Sequence, residues 1–126
     1  MLTPNFVFLE YNFHTPSQNV LYPMFKNGKV PAWVIKHKWK KTFMKCMRNF
    51  ELMKRKNCRK KITVTRIYTG RKRELDYDNF VGGCKPMIDA LKTVGFIIDD
   101  KPSWLDREYT QVKGDRNSTL VRVYDL

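Results

Sequence analysis

The sequence contains no apolar run that approaches the roughly 20 residues a helix needs to cross a bilayer. Its first residues lack the basic start and the long apolar stretch of a secretory signal peptide. It also has no internal repeat, no low-complexity segment and no linker rich in Pro, Gly or Ser. These absences predict one soluble domain over residues 1–126, located in the cytoplasm and free of membrane contacts.

Cysteine and histidine are scarce. Cys46, Cys58 and Cys84 are an odd number of widely spaced thiols with no C-x-x-C pair, and the histidines are His14 and His37 alone. This pattern argues against a disulfide framework and against a Cys/His zinc site. We expect reduced thiols that pack as small apolar side chains.

Acidic residues are also few, since 12 Asp and Glu oppose 25 Lys and Arg, a net charge of +13. Such an imbalance costs self-repulsion and is tolerated more readily beside a polyanion, so nucleic acid is the first candidate partner and an anionic membrane the weaker one. The charges are segregated: residues 26–73 carry 18 bases and only Glu51 as an acid, whereas residues 74–100 carry six acids and two bases, Lys85 and Lys92. The sequence predicts a basic body around an acidic centre.

The hydrophobic pattern predicts an α+β fold in the order β-α-β-α-β-β, with a mixed sheet of about four strands and two main helices. Gly82-Gly83 disfavours an earlier start of the second helix, Gly95 suits the left-handed position after it, and residues 114–117 have the composition of a hairpin turn. The predicted strands are Asn5–Phe13, Lys60–Tyr68, a short Phe96–Ile98, Arg107–Lys113 and Thr119–Tyr124, and the predicted helices are Ala32–Met53 and Cys84–Val94.

Four aspartates form the candidate chemical centre. Asp76 and Asp78 lie two apart in a segment that we expect to be extended, so their carboxylates should project to one side. Asp99-Asp100 closes the short strand after the second helix, and one of the two can face the first pair if the strands are neighbours. Carboxylates brought together repel one another unless a cation lies between them, and Mg²⁺ or Mn²⁺ prefers such oxygen ligands.

Lys85 falls in the first turn of the second helix, where the helix dipole also favours an anion. With a metal at the aspartates, it could hold a phosphate during in-line hydrolysis of a phosphodiester. Simpler explanations stay open: Asp78 can initiate a helix or turn, Lys85 and Asp89 can form a surface ion pair, and Asp99-Asp100 can be a solvated loop.

The run Asp76-Tyr-Asp78-Asn79-Phe-Val-Gly-Gly-Cys-Lys85-Pro-Met-Ile-Asp89-Ala-Leu91, followed by Gly95 and Ile98-Asp99-Asp100, resembles the RusA-type Holliday junction resolvases and their phage-borne relatives. Pro16-Ser-Gln-Asn19 is similar to a second segment of that family. The chain departs from the pattern in the Gly82-Gly83 spacing before the lysine and in Lys101 after the D-D pair. The resemblance spans essentially the whole chain and is most specific over residues 76–100.

The resemblance implies that Asp76, Asp78, Asp100 and Lys85 carry catalysis, with the three aspartates as ligands of Mg²⁺ (Mn²⁺ as a substitute) and Asp99 as a further candidate. It also implies an intertwined homodimer that nicks opposing strands of a four-way DNA junction, at the nucleoid and without a small-molecule cofactor. Paired symmetric cuts need two sites related by a two-fold axis, and so small a domain gains apolar burial by pairing.

The bases predict the DNA contacts, because Lys and Arg side chains follow phosphates with little sequence preference. Asn19 and Trp104 are candidate substrate-loop residues, and Trp33 could stack on an unpaired base, whereas Trp39 fits the core better. The predicted contacts are Lys36, Lys38, Lys40, Lys41, Lys45, Lys54, Arg55, Lys56, Arg59, Lys60, Lys61, Arg71, Lys72 and Arg73. Two alternatives stay open: a nuclease for other branched DNA such as flaps, and a basic nucleic-acid-binding protein without catalysis.

Overall fold

The computed structural model describes residues 4, 6–11, 13–14, 16, 21–22, 30–45, 58–70 and 74–126. Its elements form one small α+β domain, as predicted. In chain order they are β1 (Phe6–Tyr11), β2 (Leu21–Tyr22), β3 (Val30–Pro31), α1 (Ala32–Met44), β4 (Lys60–Tyr68), α2 (Tyr77–Gly83), α3 (Lys85–Val94), β5 (Leu105–Lys113) and β6 (Ser118–Asp125).

The main sheet has four strands in the order β1-β6-β4-β5. β6 runs antiparallel to both β1 and β4, whereas β4 and β5 are parallel neighbours. A parallel pair needs a long crossover connection, and here α2 and α3 supply it. The mixed four-stranded sheet predicted from the sequence is confirmed, and β2 and β3 form a separate short parallel pair.

β4 shows why this sheet has one buried face. Its predicted bounds are confirmed, and Lys60, Ile62, Val64 and Arg66 are buried while the residues between them are half-buried. Successive side chains of a strand point to opposite faces, so the alternation turns one row toward the core. The core contains Phe8 from β1, residues of α1 and α3, and Val121 and Val123 from β6, as well as the segment that follows α3.

Helix α1 presents Ile35, Trp39 and Phe43 to this core at steps of four residues, the spacing of one helical face. The rings of Trp39 and Phe43 stack at a centroid distance of 5.6 Å. The predicted start at Ala32 is confirmed, but the helix ends at Met44 instead of Met53. The amide of Lys45 donates to the carbonyl of Phe43, two residues back, so the α-helical bonding pattern stops there; residues 46–53 lie outside the described part of the chain.

The predicted helix start near Cys84 is confirmed by α3, which begins at Lys85, but the expectation that Gly82-Gly83 prevents helix just before it is wrong. Helix α2 includes both Gly82 and Gly83, and it buries Phe80 and Gly83. Each helical glycine costs about 1 kcal/mol relative to alanine, which burial of the Phe80 ring can offset. The break before α3 follows instead from Pro86, which has no N–H to donate to the carbonyl of Gly82.

Helix α3 agrees with the sequence-based expectation at its core face and at its end. Met87, Ile88, Leu91 and Val94 are buried, and Gly95 has the predicted left-handed conformation with φ of 99°. The amides of Gly95 and Phe96 both donate to the carbonyl of Leu91, at 3.0 and 2.9 Å. These bonds satisfy a terminal carbonyl and turn the chain back across the domain.

The predicted short strand Phe96–Ile98 is not a strand. This segment consists of bends in which Phe96 and Ile97 are buried, and the Phe96 ring lies 5.3 Å from that of Phe8 and 6.1 Å from that of Phe43. The apolar residues of this segment are explained by burial in the core and not by pairing in a sheet. A short apolar run does not distinguish the two.

The predicted hairpin between the last two strands is also wrong, because β4 lies between β5 and β6. The four residues 114–117 pass around the end of β4. Gly114 donates its amide to the carbonyl of Tyr68 at 2.8 Å, and the side-chain oxygen of Asn117 accepts the amide of Thr69 at 3.0 Å. Residues 114–117 do form a turn, but the strands that it joins are separated in the sheet by β4.

The described helices pack on the face of the sheet that carries Ile62, Val64 and Val121. The other face carries side chains that are mostly half-buried or exposed, among them Val7 and Arg122. Within the described ranges, no helix is long and apolar enough to span a membrane.

Candidate functional site

The two acidic segments lie along the core-facing side of β5, at its sheet edge. Residues paired across strands point to the same side, so Arg107, Tyr109 and Gln111 share the face of Ile62, Val64 and Arg66, their partners on β4. These three side chains hold the residues around the acids. Their contacts therefore show where each acidic segment is anchored.

Gln111 anchors the segment that contains Asp76. Its side-chain oxygen accepts the amide of Leu75 at 2.9 Å, and its side-chain nitrogen donates to the carbonyl of Leu75 at 2.8 Å. The amide side chain thus imitates a strand neighbour for Leu75. One step along β5, the ring of Tyr109 makes edge contacts with the rings of Tyr77 and Phe80, at centroid distances of 6.4 and 5.8 Å.

Asp76 and Asp78 lie at the start of α2, which corrects part of the prediction: Asp76 keeps an extended backbone, with φ of −55° and ψ of 138°, whereas Asp78 is helical. Asp76 is the residue before the helix, its carbonyl accepts the amide of Phe80 at 2.9 Å, and its carboxylate makes no capping bond. Asp78 lies in the first turn, and both side chains are exposed. Because the helix begins between the two aspartates, the continuous strand that was expected to align their carboxylates is not present.

Asp99 and Asp100 form a turn that α3 holds by its lysines. The ammonium of Lys92 lies 3.0 Å from one carboxylate oxygen of Asp99, and the same oxygen accepts the amide of Asp100 at 2.8 Å. The Lys92 hydrogen bond, with the Asp100 amide as the second contribution, lowers the pKa of Asp99 to about 2. The same bond raises the pKa of Lys92.

Lys85 reaches the other carboxylate of this turn. Its ammonium lies 4.0 Å from Asp100 and 3.5 Å from Asp89, and the lysine side chain is 69% exposed. The Lys85–Asp89 ion pair is therefore present, as the simpler explanation expected, but Asp100 lies beside it. The guanidinium of Arg107 donates to the carbonyl of Asp100 at 2.5 Å and fixes the turn to β5.

The structure thus brings together Lys85 and Asp100 of the four predicted catalytic residues. Asp76 and Asp78 follow Leu75, which Gln111 anchors, whereas Arg107 anchors Asp100, and these two anchoring residues lie roughly 13 Å apart along β5. Among the described residues, which include all these aspartates, no three His, Cys, Asp or Glu side chains form a group that could hold a metal ion. Chemically, exposed carboxylates are suitable donors for a hard divalent cation.

Sequence reasoning missed the residues that position these acids, namely Lys92, Arg107, Tyr109 and Gln111. Burial raises the pKa of Tyr109, while its hydrogen bond to Arg107 acts in the opposite direction. A signal was present: polar residues at every second position of β5 coincide with the core-facing row. Lys92 lies seven residues, or about two turns, after Lys85, so the two fall on the same side of α3.

The predicted DNA-contacting bases of α1 lie around its buried face, at different degrees of exposure. Lys36 and Lys40 are half-buried, and Lys38, Lys41 and Lys45 are exposed. The ammonium of Lys38 lies 4.3 Å from the centre of the Phe13 ring. Lys36 and Lys40 therefore flank the Trp39 face of this helix, and the three exposed lysines lie away from it. Trp39 itself is fully buried, as predicted.

The other predicted contacts differ in accessibility. Arg59 is exposed and donates to the carbonyl of Pro102, whereas Lys60 is 1% exposed and pairs with Asp125. Because the Lys60 side chain is buried, it is not available for contact with DNA. Trp104 is half-buried in its turn. Asn19, Lys54, Arg55, Lys56, Arg71, Lys72 and Arg73 lie outside the described residues.

No protein-family model matches this chain, and no curated protein matches it significantly. The likeness to the RusA-type resolvases is therefore a prediction from the motif residues.

Proposed function

We propose that the chain is a divalent-metal-dependent endonuclease of the RusA type that cuts branched DNA, with the four-way junction as its substrate. The observation that carries the proposal is the placement of Lys85 beside Asp100 in an acidic region of a chain with net charge +13. A lysine next to carboxylates, within a basic body, suits a phosphodiester that meets a metal at the same place.

In this proposal Asp76, Asp78 and Asp100 would be the ligands of Mg²⁺, or of Mn²⁺ in its place, although the described carboxylates do not form a group of three in the absence of the ion. Among the described residues, the carboxylates of Asp76 and Asp78 have no ion pair or hydrogen bond, so their oxygens are available as ligands. When bound, a divalent cation neutralises charge on the scissile phosphate and lowers the pKa of the attacking water. Asp99 is the weaker ligand candidate, because Lys92 and the Asp100 amide already occupy one of its oxygens.

Lys85 is the proposed phosphate-holding residue. Its ammonium is exposed, and its separations from Asp89 and Asp100 are at the long end of ion pairing, so it can redirect a hydrogen bond to a phosphate oxygen without breaking a buried contact. Loss of a donor that stabilises transition-state charge typically lowers the rate on the order of 10²–10³-fold.

Substrate binding is assigned to the basic surface, with the lysines of α1 on phosphates. The paired nicks of junction resolution require a homodimer with two sites.

The test is cleavage of an end-labelled mobile four-way junction with and without Mg²⁺, mapping the nicks on all strands. We expect Asp78→Asn and Asp100→Asn each to abolish nicking while junction binding persists, because each removes a metal ligand and adds no repulsion toward DNA. Asp115→Asn, in the turn after β5, makes the same change of charge and should cleave normally. Wild-type nicking by Asp78→Asn would refute the catalytic assignment, and matched Y-shaped and linear duplexes test the flap-nuclease alternative.

The second candidate function is nucleic-acid binding without catalysis. It is favoured by the pairing of Asp99 with Lys92 and of Asp100 with Lys85, since such pairs also stabilise a purely structural turn. It predicts that Mg²⁺ has no effect on any DNA transaction and that Asp78→Asn changes nothing.

A further inference from the structure

The sheet face opposite the helices contains a groove of about 530 Å³. Its floor follows β4 through Lys61, Thr63 and Thr65, with β6 forming one wall through Arg122 and Tyr124. The other wall is Glu108 and Thr110 of β5. The groove is on the opposite side of the sheet from Lys85 and Asp100, so it is separate from the proposed nuclease site.

The small floor residues explain the shape. Thr63 pairs with Arg122 on one side and with Glu108 on the other, so one row of the sheet runs from a long side chain through a short one to a long one. The hydroxyls of Thr65 and Thr110 lie 3.0 Å apart. Strands are about 4.8 Å apart, so the walls are separated by roughly 10 Å and the floor from 61 to 65 is roughly 13 Å long.

The lining is rich in hydrogen-bond donors. Six of its seven side chains are Lys, Arg, Tyr or Thr, the types that contact phosphate and sugar oxygens in nucleic-acid complexes. The single acid, Glu108, is paired with Lys61 at 3.2 Å. Arg122 has no carboxylate partner among the described residues, and Tyr124 offers a ring on which a base can stack.

These observations identify the kind of occupant. The lining has one more cation than acid, which suits a phosphate. A double helix, whose major groove alone is about 12 Å wide, is too broad for walls roughly 10 Å apart, whereas an extended single strand fits. Open sheet faces with basic and aromatic side chains bind unpaired nucleotides in other folds.

We infer that this groove binds a single strand of nucleic acid, with Arg122 and Lys61 on its phosphates and Tyr124 against a base. The site goes beyond the proposed nuclease function and does not depend on it. DNA and RNA strands share the phosphates that the groove recognises. Binding of either supports the inference, and comparison of the two shows which is preferred.

The experiment measures fluorescence anisotropy of labelled six-nucleotide thymidylate and uridylate strands with the full chain, in EDTA at about 50 mM salt. Arg122→Gln should weaken binding about tenfold, because a charge-assisted hydrogen bond is lost. Lys113→Gln, an exposed position at the end of β5, removes the same charge outside the groove and should cost less than about threefold. Equal losses in the two variants would show general electrostatic attraction only and would overturn the inference.

A second pair of variants avoids β6, the interior strand that contains Arg122, because a substitution in an interior strand can disturb folding. Glu108→Gln releases Lys61 and removes the acid of the groove, so it should tighten binding about threefold more than Asp115→Asn, which makes the same charge change in a turn. Amide shifts on adding the thymidylate strand should concentrate at Thr63, Thr65 and Thr110. Shifts confined to α1, or no gain with Glu108→Gln, would contradict the groove even if the chain cleaves junctions as proposed; groove binding without any cleavage would contradict the nuclease alone.

Discussion

At the scale of single residues, one carboxylate oxygen of Asp99 stabilises both the position and the backbone of its turn. This oxygen accepts a hydrogen bond from Lys92 and another from the amide of Asp100. The first bond ties the turn to α3, and the second fixes the backbone from which the Asp100 side chain extends toward Lys85. The conformation of Asp100 therefore depends on a lysine of α3 that does not contact its carboxylate.

Replacement of Lys92 by Met should raise the pKa of Asp99 from about 2 toward its ordinary 3.8, because the lysine hydrogen bond is the main cause of the shift. Carboxyl NMR titration in metal-free buffer measures it. Because the folded-state pKa is depressed, the associated stability is fully present above about pH 4 and is lost as pH falls through 2. The exposed Lys101 supplies the control, since Lys101→Met should leave the Asp99 titration unchanged.

An Asp99 that titrates near 4 in the unmodified protein would contradict this account of the turn. In that case Lys92 would be a solvated surface charge, and the placement of Asp100 would depend on the Arg107 hydrogen bond and the Lys85 ion pair.

At the scale of elements, the connection from β5 to β6 is tightly constrained. Residues 114–117 must clear the end of β4 before the chain can pair on its other side. Gly114 passes so close to Ile67 that a Cβ on it would lie 2.6 Å from a methyl carbon of that side chain. The glycine is needed there for close approach.

Gly114→Ala should destabilise the fold by about 1–3 kcal/mol, the usual cost of overpacking. Urea denaturation of the single variants Gly114→Ala and Ile67→Ala and of the double variant measures the coupling. Because Ile67→Ala removes the colliding methyl group, the double variant should lose less stability than the sum of the two single variants. Strict additivity would show that the crossing tolerates a side chain.

The elements also show what the sequence can predict. β4, the core of α3 and the left-handed Gly95 were predictable because strand alternation, helical spacing and glycine conformation are local properties. The position of β4 between β5 and β6 was not, because strand order depends on long-range pairing that no turn sequence encodes. The start of α2 was missed because burial of Phe80 outweighs two unfavourable glycines, and the Lys85–Asp100 approach was expected only through the motif.

At the scale of the whole molecule, the basic helix, the acidic segments and the groove lie on different sides of the domain. The exposed α1 lysines lie on one outer surface, the two acidic segments lie along the β5 edge, and the groove with Arg122 opens on the far face of the sheet. A polyanion would meet positive charge from more than one direction. A branched nucleic acid, which has several arms, suits such a distribution better than a straight duplex does.

The charge arrangement makes a quantitative prediction about binding. If the lysines of α1 displace counterions from a four-way junction, the logarithm of affinity should fall linearly with the logarithm of salt concentration, with a slope of about 0.9 per phosphate contact. Between about 50 and 200 mM salt, 6–10 contacts lower affinity by about 10³–10⁵-fold. Filter binding or anisotropy in EDTA measures the slope without interference from cleavage.

Lys41→Gln should reduce this slope by about one phosphate contact, because Lys41 is exposed on α1. Lys113→Gln should leave the slope unchanged, since Lys113 lies at the end of β5. A flat salt response would remove the polyanion partner from both proposals, and equal slopes for the two variants would move the binding surface away from α1.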